Sequence, residues 1–229
     1  MLKKHLQERP YTDTVSDLGA PHVPGAEQTP LETAVLVPVK RFADAKDRLR
    51  SVLSQEERSA LAESLATGVL RAAEPLRVFV VCDDDKVARW ATQLDASVIW
   101  SPQRGLNAAV SEGVARLAAE GFDWITIAHS DLPYPADLAT LPEFEGVTIV
   151  PDRFDDGTNV LRIPSRSSFE FHYGRGSFAR HVEEANGRSL PVDVIRGTLL
   201  DFDVDDPADL ELLRSRRVDG GPQAPIRHT

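Results

Sequence analysis

The stretch AVLVPVKRFADAKDRL (residues 34–49) combines the two features that decide the fold. It opens with a short apolar run, interrupted only by Pro38, of the kind that forms a buried strand. Four cations follow within nine positions, namely Lys40, Arg41, Lys46 and Arg48. A buried strand with a basic loop after it is typical of α/β proteins that bind phosphate at the carboxyl edge of the sheet. A core strand followed by an ordinary solvated loop is the alternative, and this stretch alone does not separate the two.

Length and composition restrict the class of protein. The chain has 229 residues with 41% apolar and 27% charged residues, which suits one soluble α/β domain with a sizeable core. Its net charge of −10 argues against nucleic-acid or membrane partners, because both need a basic face. The single cysteine, Cys82, lies in an apolar run and suits a reducing compartment. With no apolar run near ~18 residues and no signal-peptide core, we expect a cytoplasmic protein.

The order of patterns along the chain predicts its organisation. Residues 1–32 are polar and proline-rich, so we expect a disordered tail, followed by one domain over 33–214 and a flexible tail over 215–229. Within the domain, apolar runs alternate three times with amphipathic segments, which predicts an α/β fold with a mostly parallel sheet and helices on both faces. The first four predicted strands are 34–39, 77–82, 96–100 and 123–128. A later portion carries short strands at 147–150, 160–163, 191–195 and 199–202, and helices that begin at Ser177 and Pro207.

Carboxylates in two separate segments are candidate metal ligands. Asp131 follows the fourth strand in AHSDLPYP, where it can reach over the sheet edge to a metal, or merely cap a short helix. In LDFDVDD, Asp201, Asp203 and Asp205 alternate, so an extended backbone would line them along one face. Like charges at this spacing repel unless a cation intervenes, and oxygen ligands near phosphate favour Mg²⁺. The alternative is that the acidic run complements the start of the last helix, and Asp206 is assigned to that role.

Two glycine-and-hydroxyl turns form the third candidate group. They are Gly157-Thr158-Asn159 and the segment YGRGSF (residues 173–178), which opens a helix and could offer backbone N–H groups and Ser177 to an anion. Ordinary turn and cap residues are the simpler interpretation of either one alone. His181 follows on the same helix, and an isolated histidine is more often structural than catalytic. The sequence has no Walker A motif and no G-x-G-x-x-G motif.

Six segments in order resemble one enzyme family. VPVKRFADAKDRL, GLNAAV, SDLP, DGTNVL, YGRGSFARH and DVDDPADL are similar to the guanylyltransferases of deazaflavin coenzyme F-420 biosynthesis. The resemblance implies a three-layer, Rossmann-like nucleotidyltransferase fold. It also implies transfer of GMP from GTP to a three-carbon phosphate acid, with release of pyrophosphate. Phosphoenolpyruvate is the acceptor we place first, with 2-phospho-L-lactate and 3-phospho-D-glycerate as alternatives.

The same resemblance assigns roles to residues. It implies Mg²⁺ ligands at Asp131, Asp203 and Asp205, and contacts to the acceptor acid at Thr158, Gly174 and Ser177. Basic positions of the nucleotide loop fall on Lys40, Lys46 and Arg48, of which Lys46 and Arg48 would stabilise the leaving pyrophosphate. Asn107 is a candidate contact to the guanosine. Asp155 and Asp156 stand where small residues are common in the family and would add negative charge near the acceptor.

Two other functions stay open at this point. One is a sugar-phosphate or molybdopterin nucleotidyltransferase of the same fold, although those usually carry a glycine-rich loop where this chain has residues 40–49. The other is a non-catalytic nucleotide-binding protein, against which the retained carboxylates and cations argue. The oligomeric state is not readable from the sequence, and a homodimer stays open.

Overall fold

The computed structural model describes residues 32–102 and 105–218. A single seven-stranded sheet organises this part of the chain, in the order β3-β2-β1-β4-β6-β5-β7. The strands are β1 Thr33–Pro38, β2 Arg77–Cys82, β3 Ser97–Trp100, β4 Trp124–Ala128, β5 Val147–Pro151, β6 Thr158–Pro164 and β7 Val192–Val194. The helices are α1 Gln55–Ala72, α2 Asp85–Gln93, α3 Leu106–Glu120, α4 Ser177–Gly187 and α5 Pro207–Val218.

The predicted mostly parallel sheet is confirmed. β1 pairs in parallel with both β2 and β4, and β2 pairs in parallel with β3. The predicted antiparallel portion is β6, which runs antiparallel to its neighbours β4 and β5. β7 then pairs in parallel with β5 at the edge. Because β6 is reversed, its first residue, Thr158, lies at the same edge of the sheet as the last residues of β4.

Helices cover both faces of the sheet, as the alternation of patterns predicts. Along β1, Ala34 and Leu36 face one core cluster and Val35 and Val37 face the other. The first cluster includes residues of α3 and α4, and the second includes residues of α1 and α2. Burial on both faces explains why β1 is apolar at consecutive positions. A third, smaller cluster packs α5 against α1 and the loop after β1.

Local signals at the helix ends match the sequence. Ser54 and Glu57 form the expected capping box at the start of α1, and Asp84 caps α2. Gly121 ends α3 with φ of 101°, a left-handed conformation that favours glycine. Asp206 caps α5, accepting a hydrogen bond from the Asp209 N–H (3.0 Å), and Pro207 is the first helical residue. These contacts show that the helix boundaries are encoded locally.

One predicted strand is wrong. The sequence predicts an extended segment at 199–202, but Leu199–Asp201 forms a short 3-10 helix. The Thr198 hydroxyl accepts a hydrogen bond from the Leu200 N–H (3.3 Å), which favours a turn, and Leu200 is fully buried. The apolar run therefore reflects burial against the core and not pairing in the sheet.

The chain ends differ in part from the predicted domain limits. α5 continues to Val218, four residues beyond the expected limit at residue 214. The remainder of the predicted C-terminal tail, from residue 219, lies outside the described residues, as does the predicted N-terminal tail up to residue 31. Among the helices that the structure describes, none combines the length and apolar character needed to cross a membrane.

Candidate active site

The site lies where the strand order reverses. The chain runs from β1 to β2 and β3 on one side, and then returns to β4 on the other side of β1. Residues at the carboxyl ends of β1 and β4 line a crevice at this edge of the sheet, the usual ligand position in such sheets. The loop after β1 carries Lys40, Lys46 and Arg48, and the loop after β4 carries Asp131.

Three of the predicted carboxylates meet in this crevice. One oxygen each from Asp131, Asp203 and Asp205 lies within 4.8 Å of the others. Phe202 precedes Asp203, and Val204 lies between Asp203 and Asp205. Both side chains are buried, as the alternation in DFDVDD predicts. Asp201, which the alternation places with them, instead belongs to the 3-10 turn and is absent from this group. The sequence pattern was thus right for two of its three aspartates.

Lys46 contacts two members of this carboxylate group. Its Nζ lies 2.6 Å from Asp131 Oδ2 and 3.3 Å from Asp205 Oδ1, and its side chain is only 8% exposed. Arg48 reaches the other oxygen of Asp205 at 3.2 Å from an exposed position. Lys46 has a φ of 55°, a left-handed conformation that a non-glycine residue adopts only when its surroundings hold it there. The fold therefore places this ammonium group against the carboxylates.

The charges in the group shift one another's ionisation. Burial, and then repulsion from Asp131 and Asp205, raises the pKa of Asp203 to about 7. Burial alone would raise the pKa of Asp131, but the charges of Lys46 and His129 outweigh it and lower that pKa. Burial would likewise lower the pKa of Lys46, yet its two carboxylate partners raise it. Lys46 therefore compensates Asp131 and Asp205, and Asp203 is left without an equal partner.

The donor set fits a hard divalent cation. All three groups offer carboxylate oxygens, the ligand type that Mg²⁺ and Ca²⁺ prefer. Asp131 Oδ1 is buried and has no hydrogen-bond partner in the structure, although Oδ2 of the same side chain binds Lys46. A buried carboxylate oxygen without a partner is costly unless a ligand completes its coordination.

A residue that the sequence analysis missed holds the acidic segment in place. Asp209, on α5, is 4% exposed, and its Oδ2 accepts hydrogen bonds from the N–H groups of Asp205 (2.8 Å) and Asp206 (3.0 Å). The guanidinium of Arg153 contacts the other oxygen. The sequence does contain a signal for this role of Asp209, because Asp206 with Asp209 three residues later resembles a capping box. Asp209 thus fixes the backbone that presents Asp203 and Asp205.

Two adjoining cavities open at this edge. The first, which we term the nucleoside cavity after the ligand that we propose below, has a volume of about 470 Å³ and extends over the ends of β1, β2 and β4 to Ser101 and the start of α3. The second, which we term the basic cavity, has a volume of about 420 Å³ and is lined by Lys40, Lys46 and Arg48 together with Asp131 and Asp205. Val39, Lys40, Ser130 and Asp131 line both. An elongated anionic ligand can therefore occupy the two together.

The predicted acceptor residues Thr158 and Ser177 meet each other below the surface. Each is 1% exposed, their hydroxyl oxygens are 3.4 Å apart, and neither lines the two cavities. His181 joins them, with Nδ1 3.0 Å from Thr158 Oγ1. Because neither side chain lines a cavity, neither is open to a ligand there, whereas Gly174, the third predicted acceptor residue, is exposed.

The tautomer of His181 follows from its other contact. The backbone N–H of His172 donates to Nε2 of His181 (3.0 Å), so Nε2 must carry a lone pair. Burial, and then the nearby side chains of His172, Arg180 and His129, lowers the pKa of His181 to about 3. A neutral ring with this arrangement has its proton on Nδ1, which donates to Thr158. His181 is thus a structural residue, consistent with the simpler of its two interpretations.

Contacts at the 174–177 turn correct two expectations. Two of the backbone N–H groups in the segment expected to hold an anion are already used: those of Gly176 and Phe178 donate to Asp156, through its side chain (3.2 Å) and its carbonyl (3.1 Å). Asp155, expected to add negative charge near an acceptor, is paired with Arg196 at 2.9 Å. Both aspartates are therefore engaged in holding the turn, which weakens any repulsion they exert on a ligand.

Asn107, the candidate contact to the guanosine, binds the main chain of Tyr173 in the structure. Its Oδ1 accepts a hydrogen bond from the Tyr173 N–H (2.7 Å), and its Nδ2 donates to the Tyr173 carbonyl (3.3 Å). Asn107 therefore attaches the 173–177 segment to α3, and it lines neither cavity. His129 and Ser130, which line the nucleoside cavity, were missed even though they stand directly between β4 and Asp131.

Comparison with known proteins identifies relatives over most of the chain. A family model described as "Guanylyl transferase CofC like" matches residues 33–215. A phosphoenolpyruvate guanylyltransferase of Sphaerobacter thermophilus is 37% identical over 193 residues, which cover 80% of this chain and 93% of the relative. A 2-phospho-L-lactate guanylyltransferase of Methanocaldococcus sp. FS406-22 is 30% identical, covering 77% and 78% of the two chains.

The fold has counterparts among solved structures. A nucleotidyl transferase from Methanothermobacter thermautotrophicus superposes with a TM-score of 0.57 at 15% identity, covering 84% of this chain and all of that one. At this identity the similarity concerns the fold alone. It confirms the predicted Rossmann-like nucleotidyltransferase architecture.

Proposed function

Because the chain belongs to the CofC-like guanylyl transferase family, we propose that it transfers GMP from GTP to phosphoenolpyruvate in coenzyme F-420 biosynthesis. The products would be enolpyruvoyl-2-diphospho-5'-guanosine and pyrophosphate. The relative at 37% identity is named a phosphoenolpyruvate guanylyltransferase, and the relative at 30% identity is named a 2-phospho-L-lactate guanylyltransferase. The higher identity supports phosphoenolpyruvate as the acceptor. Family membership also decides against the sugar-phosphate, molybdopterin and non-catalytic alternatives. The observation that carries the proposal is the cationic loop after β1, whose Lys46 contacts two of three clustered carboxylates at one crevice.

The two cavities suggest how GTP would lie. The walls of the nucleoside cavity include Pro38, Val81, Leu106 and Ala109, which suits a base and a ribose. The basic cavity offers Lys40, Lys46 and Arg48 to the triphosphate. Lys40 and Asp131 line both cavities, so the α-phosphate would sit at their junction.

We assign the carboxylate group to Mg²⁺. Asp131, Asp203 and Asp205 would hold the ion, and the unpartnered Asp131 Oδ1 gives it a ligand that no other group uses. Bound there, Mg²⁺ would neutralise phosphate charge that otherwise keeps nucleotide and acceptor apart. Lys46, which now compensates Asp131 and Asp205, would share these partners with the ion and turn part of its charge toward the phosphates.

The chemical step depends on the positioning of the reactants more than on acid–base groups. The acceptor phosphate is already ionised at neutral pH, so its oxygen can attack the α-phosphorus in line without a general base. Lys46 and Arg48 would stabilise the charge that develops on the departing pyrophosphate. His181 is neutral and fully buried, which agrees with a mechanism that does not use it for proton transfer.

The acceptor would bind beside β4 and β6. The His129 N–H donates to the Asn159 carbonyl (3.0 Å), which ties the start of β6 to the loop that carries Asp131. Gly174 is exposed and has a φ of 118°, so its backbone could face the acid closely. The buried Thr158 and Ser177 would support this wall from beneath.

The test is an acceptor panel. The protein is incubated with GTP, Mg²⁺ and each of phosphoenolpyruvate, 2-phospho-L-lactate and 3-phospho-D-glycerate, and pyrophosphate release and product mass are measured. We expect the fastest release with phosphoenolpyruvate. A faster reaction with another acceptor would overturn the substrate assignment, and no release from a folded preparation with any of the three would overturn the activity.

A matched pair of variants tests the site. Asp131→Asn should reduce turnover by at least ~100-fold, because it removes a charged ligand of the proposed ion at the reacting phosphates. Asp137→Asn removes an exposed carboxylate that lines neither cavity, and it should leave turnover unchanged. Equal rates for the two variants would remove Asp131 from the site.

A further inference from the structure

The nucleoside cavity has two chemically different ends. Asp131, after β4, lies at one end beside the basic cavity. Asp83 and Ser101, directly after β2 and β3, belong to the other. In the order β3-β2-β1-β4, β3 and β4 are three strand spacings apart, or roughly 14 Å at the usual ~4.8 Å per strand. A nucleotide with its phosphates at Asp131 would therefore place its base toward Asp83 and Ser101.

Ser101 offers this end an acceptor and no donor. It is 1% exposed, its backbone N–H donates to the Cys82 carbonyl (2.9 Å), and its hydroxyl donates to Glu112 Oε2 (2.6 Å). Glu112 accepts this hydrogen bond, so the proton of the hydroxyl is committed to Glu112. Ser101 Oγ can therefore only accept a hydrogen bond from a ligand.

Asp83 adds a second acceptor of the same kind. It follows the last residue of β2, lines the nucleoside cavity and is exposed to it. Its neighbour Asp84 is used differently, because its carboxylate caps α2 and binds Arg41. Of this acidic run, Asp83 is therefore the residue that lines the cavity.

We propose that Asp83 and Ser101 read the Watson–Crick edge of guanine, with Asp83 as the principal specificity-determining residue. This rests on the proposed function and names the base-reading side chains of the same site. The Watson–Crick edge of guanine carries two donors, N1–H and the 2-amino group, and these match two acceptors. Adenine presents an unprotonated N1 there, which would face the Asp83 carboxylate without a proton between them. A carboxylate opposite an unprotonated N1 therefore disfavours adenine, whereas the two matched donors favour guanine.

The experiment measures nucleotide binding directly, without acceptor. Calorimetric titration of the full chain with GTP, ITP and ATP, each with Mg²⁺, separates the contributions. ITP lacks the 2-amino group and keeps N1–H. Wild type should bind GTP about tenfold or more tightly than ITP, and ATP more weakly still. In Asp83→Asn the preference for GTP over ITP and ATP should fall to within about threefold, while Asp85→Asn, an exposed carboxylate outside the cavity, should keep the wild-type preference.

A second variant keeps the test decisive. Ser101→Ala removes one acceptor with little change in volume and should weaken GTP binding by about three- to tenfold, with a smaller effect on ATP. Retention of the wild-type GTP-to-ATP ratio in both variants would overturn the proposal, as would a wild-type protein that does not distinguish GTP from ATP. Selective GTP binding without turnover on any acceptor would instead count against the proposed function and leave this inference standing.

Discussion

Lys46 Nζ lies 2.6 Å from Asp131 Oδ2, and this contact joins the loop after β1 to the loop after β4. The two residues are 85 positions apart, and their side chains are only 8% and 21% exposed. A second carboxylate, Asp205, brings the chain beyond β7 to the same ammonium group. One side chain thus connects three separate segments of the site.

Replacing Lys46 should destabilise the metal-free protein. Lys46→Met leaves the partly buried Asp131 and Asp205 without their shared counter-ion, and we expect the free energy of unfolding to fall by about 2–3 kcal/mol in EDTA. Urea denaturation measures this. Lys40→Met changes the same charge at an exposed position and should cost less than about 0.5 kcal/mol. Equal losses for the two variants would show that the Lys46 contacts contribute little.

Replacing Asp203 should stabilise the protein in the absence of metal. Its pKa of about 7 means that ionisation is opposed in the folded state, so stability is lost as the pH rises from the unfolded value of about 3.9 toward 7. Asp203→Asn should therefore raise the free energy of unfolding by about 1–3 kcal/mol at pH 8 in EDTA, and by less at pH 5. Stabilisation by added Mg²⁺ should be lost in the variant. A gain that is the same at both pH values would contradict this explanation.

His181 should make stability depend on pH between 7 and 5. Its pKa is lowered to about 3 in the folded protein, so the unfolded chain gains a proton first as the pH falls below about 6.5. The contribution is fully present above that value and is lost at about 1.4 kcal/mol per pH unit below it. Urea denaturation at pH 7 and pH 5 should show a fall of about 2 kcal/mol from this residue.

Two controls assign that dependence to His181. His172→Gln, which removes a more exposed histidine while keeping its backbone N–H, should retain most of the slope. Imidazole ¹⁵N shifts of the wild type should report a neutral ring with its proton on Nδ1 at pH 5. A protonated ring, or a proton on Nε2, would contradict the hydrogen-bond network described above.

Asp209 should affect the proposed Mg²⁺ site without being one of its ligands. Asp209→Ala removes the acceptor of the Asp205 and Asp206 N–H groups, and we expect a loss of about 2 kcal/mol in stability. The affinity for Mg²⁺, measured by calorimetry, should weaken because the backbone of Asp203 and Asp205 is no longer fixed. Asp206→Ala removes only the helix cap and should cost about 1 kcal/mol with a smaller change in affinity. A loss of affinity as large in Asp206→Ala would show that α5 as a whole is responsible.

The sequence by itself determined the elements whose signals are local. The apolar run of β1, the capping box at Ser54 and the cap of α5 at Asp206 each depend on residues a few positions apart. Alternation also placed Asp203 and Asp205 on the side opposite the buried Phe202 and Val204. The family follows from short motifs in a fixed order, and these can be recognised without knowledge of their spatial contacts.

Only the tertiary structure decided which groups meet and what remains free. Thr158, Ser177 and His181 look like turn and helix residues in the sequence, but packing buries them in one hydrogen-bonded group. Asn107 looks like a candidate ligand, and its amide is used by the main chain of Tyr173. Asp201 follows the same alternation as Asp203, yet it belongs to a 3-10 helix whose Leu200 is buried in the core. Each outcome depends on contacts between distant segments, since a polar atom is available to a ligand only where the fold has not already given it a partner.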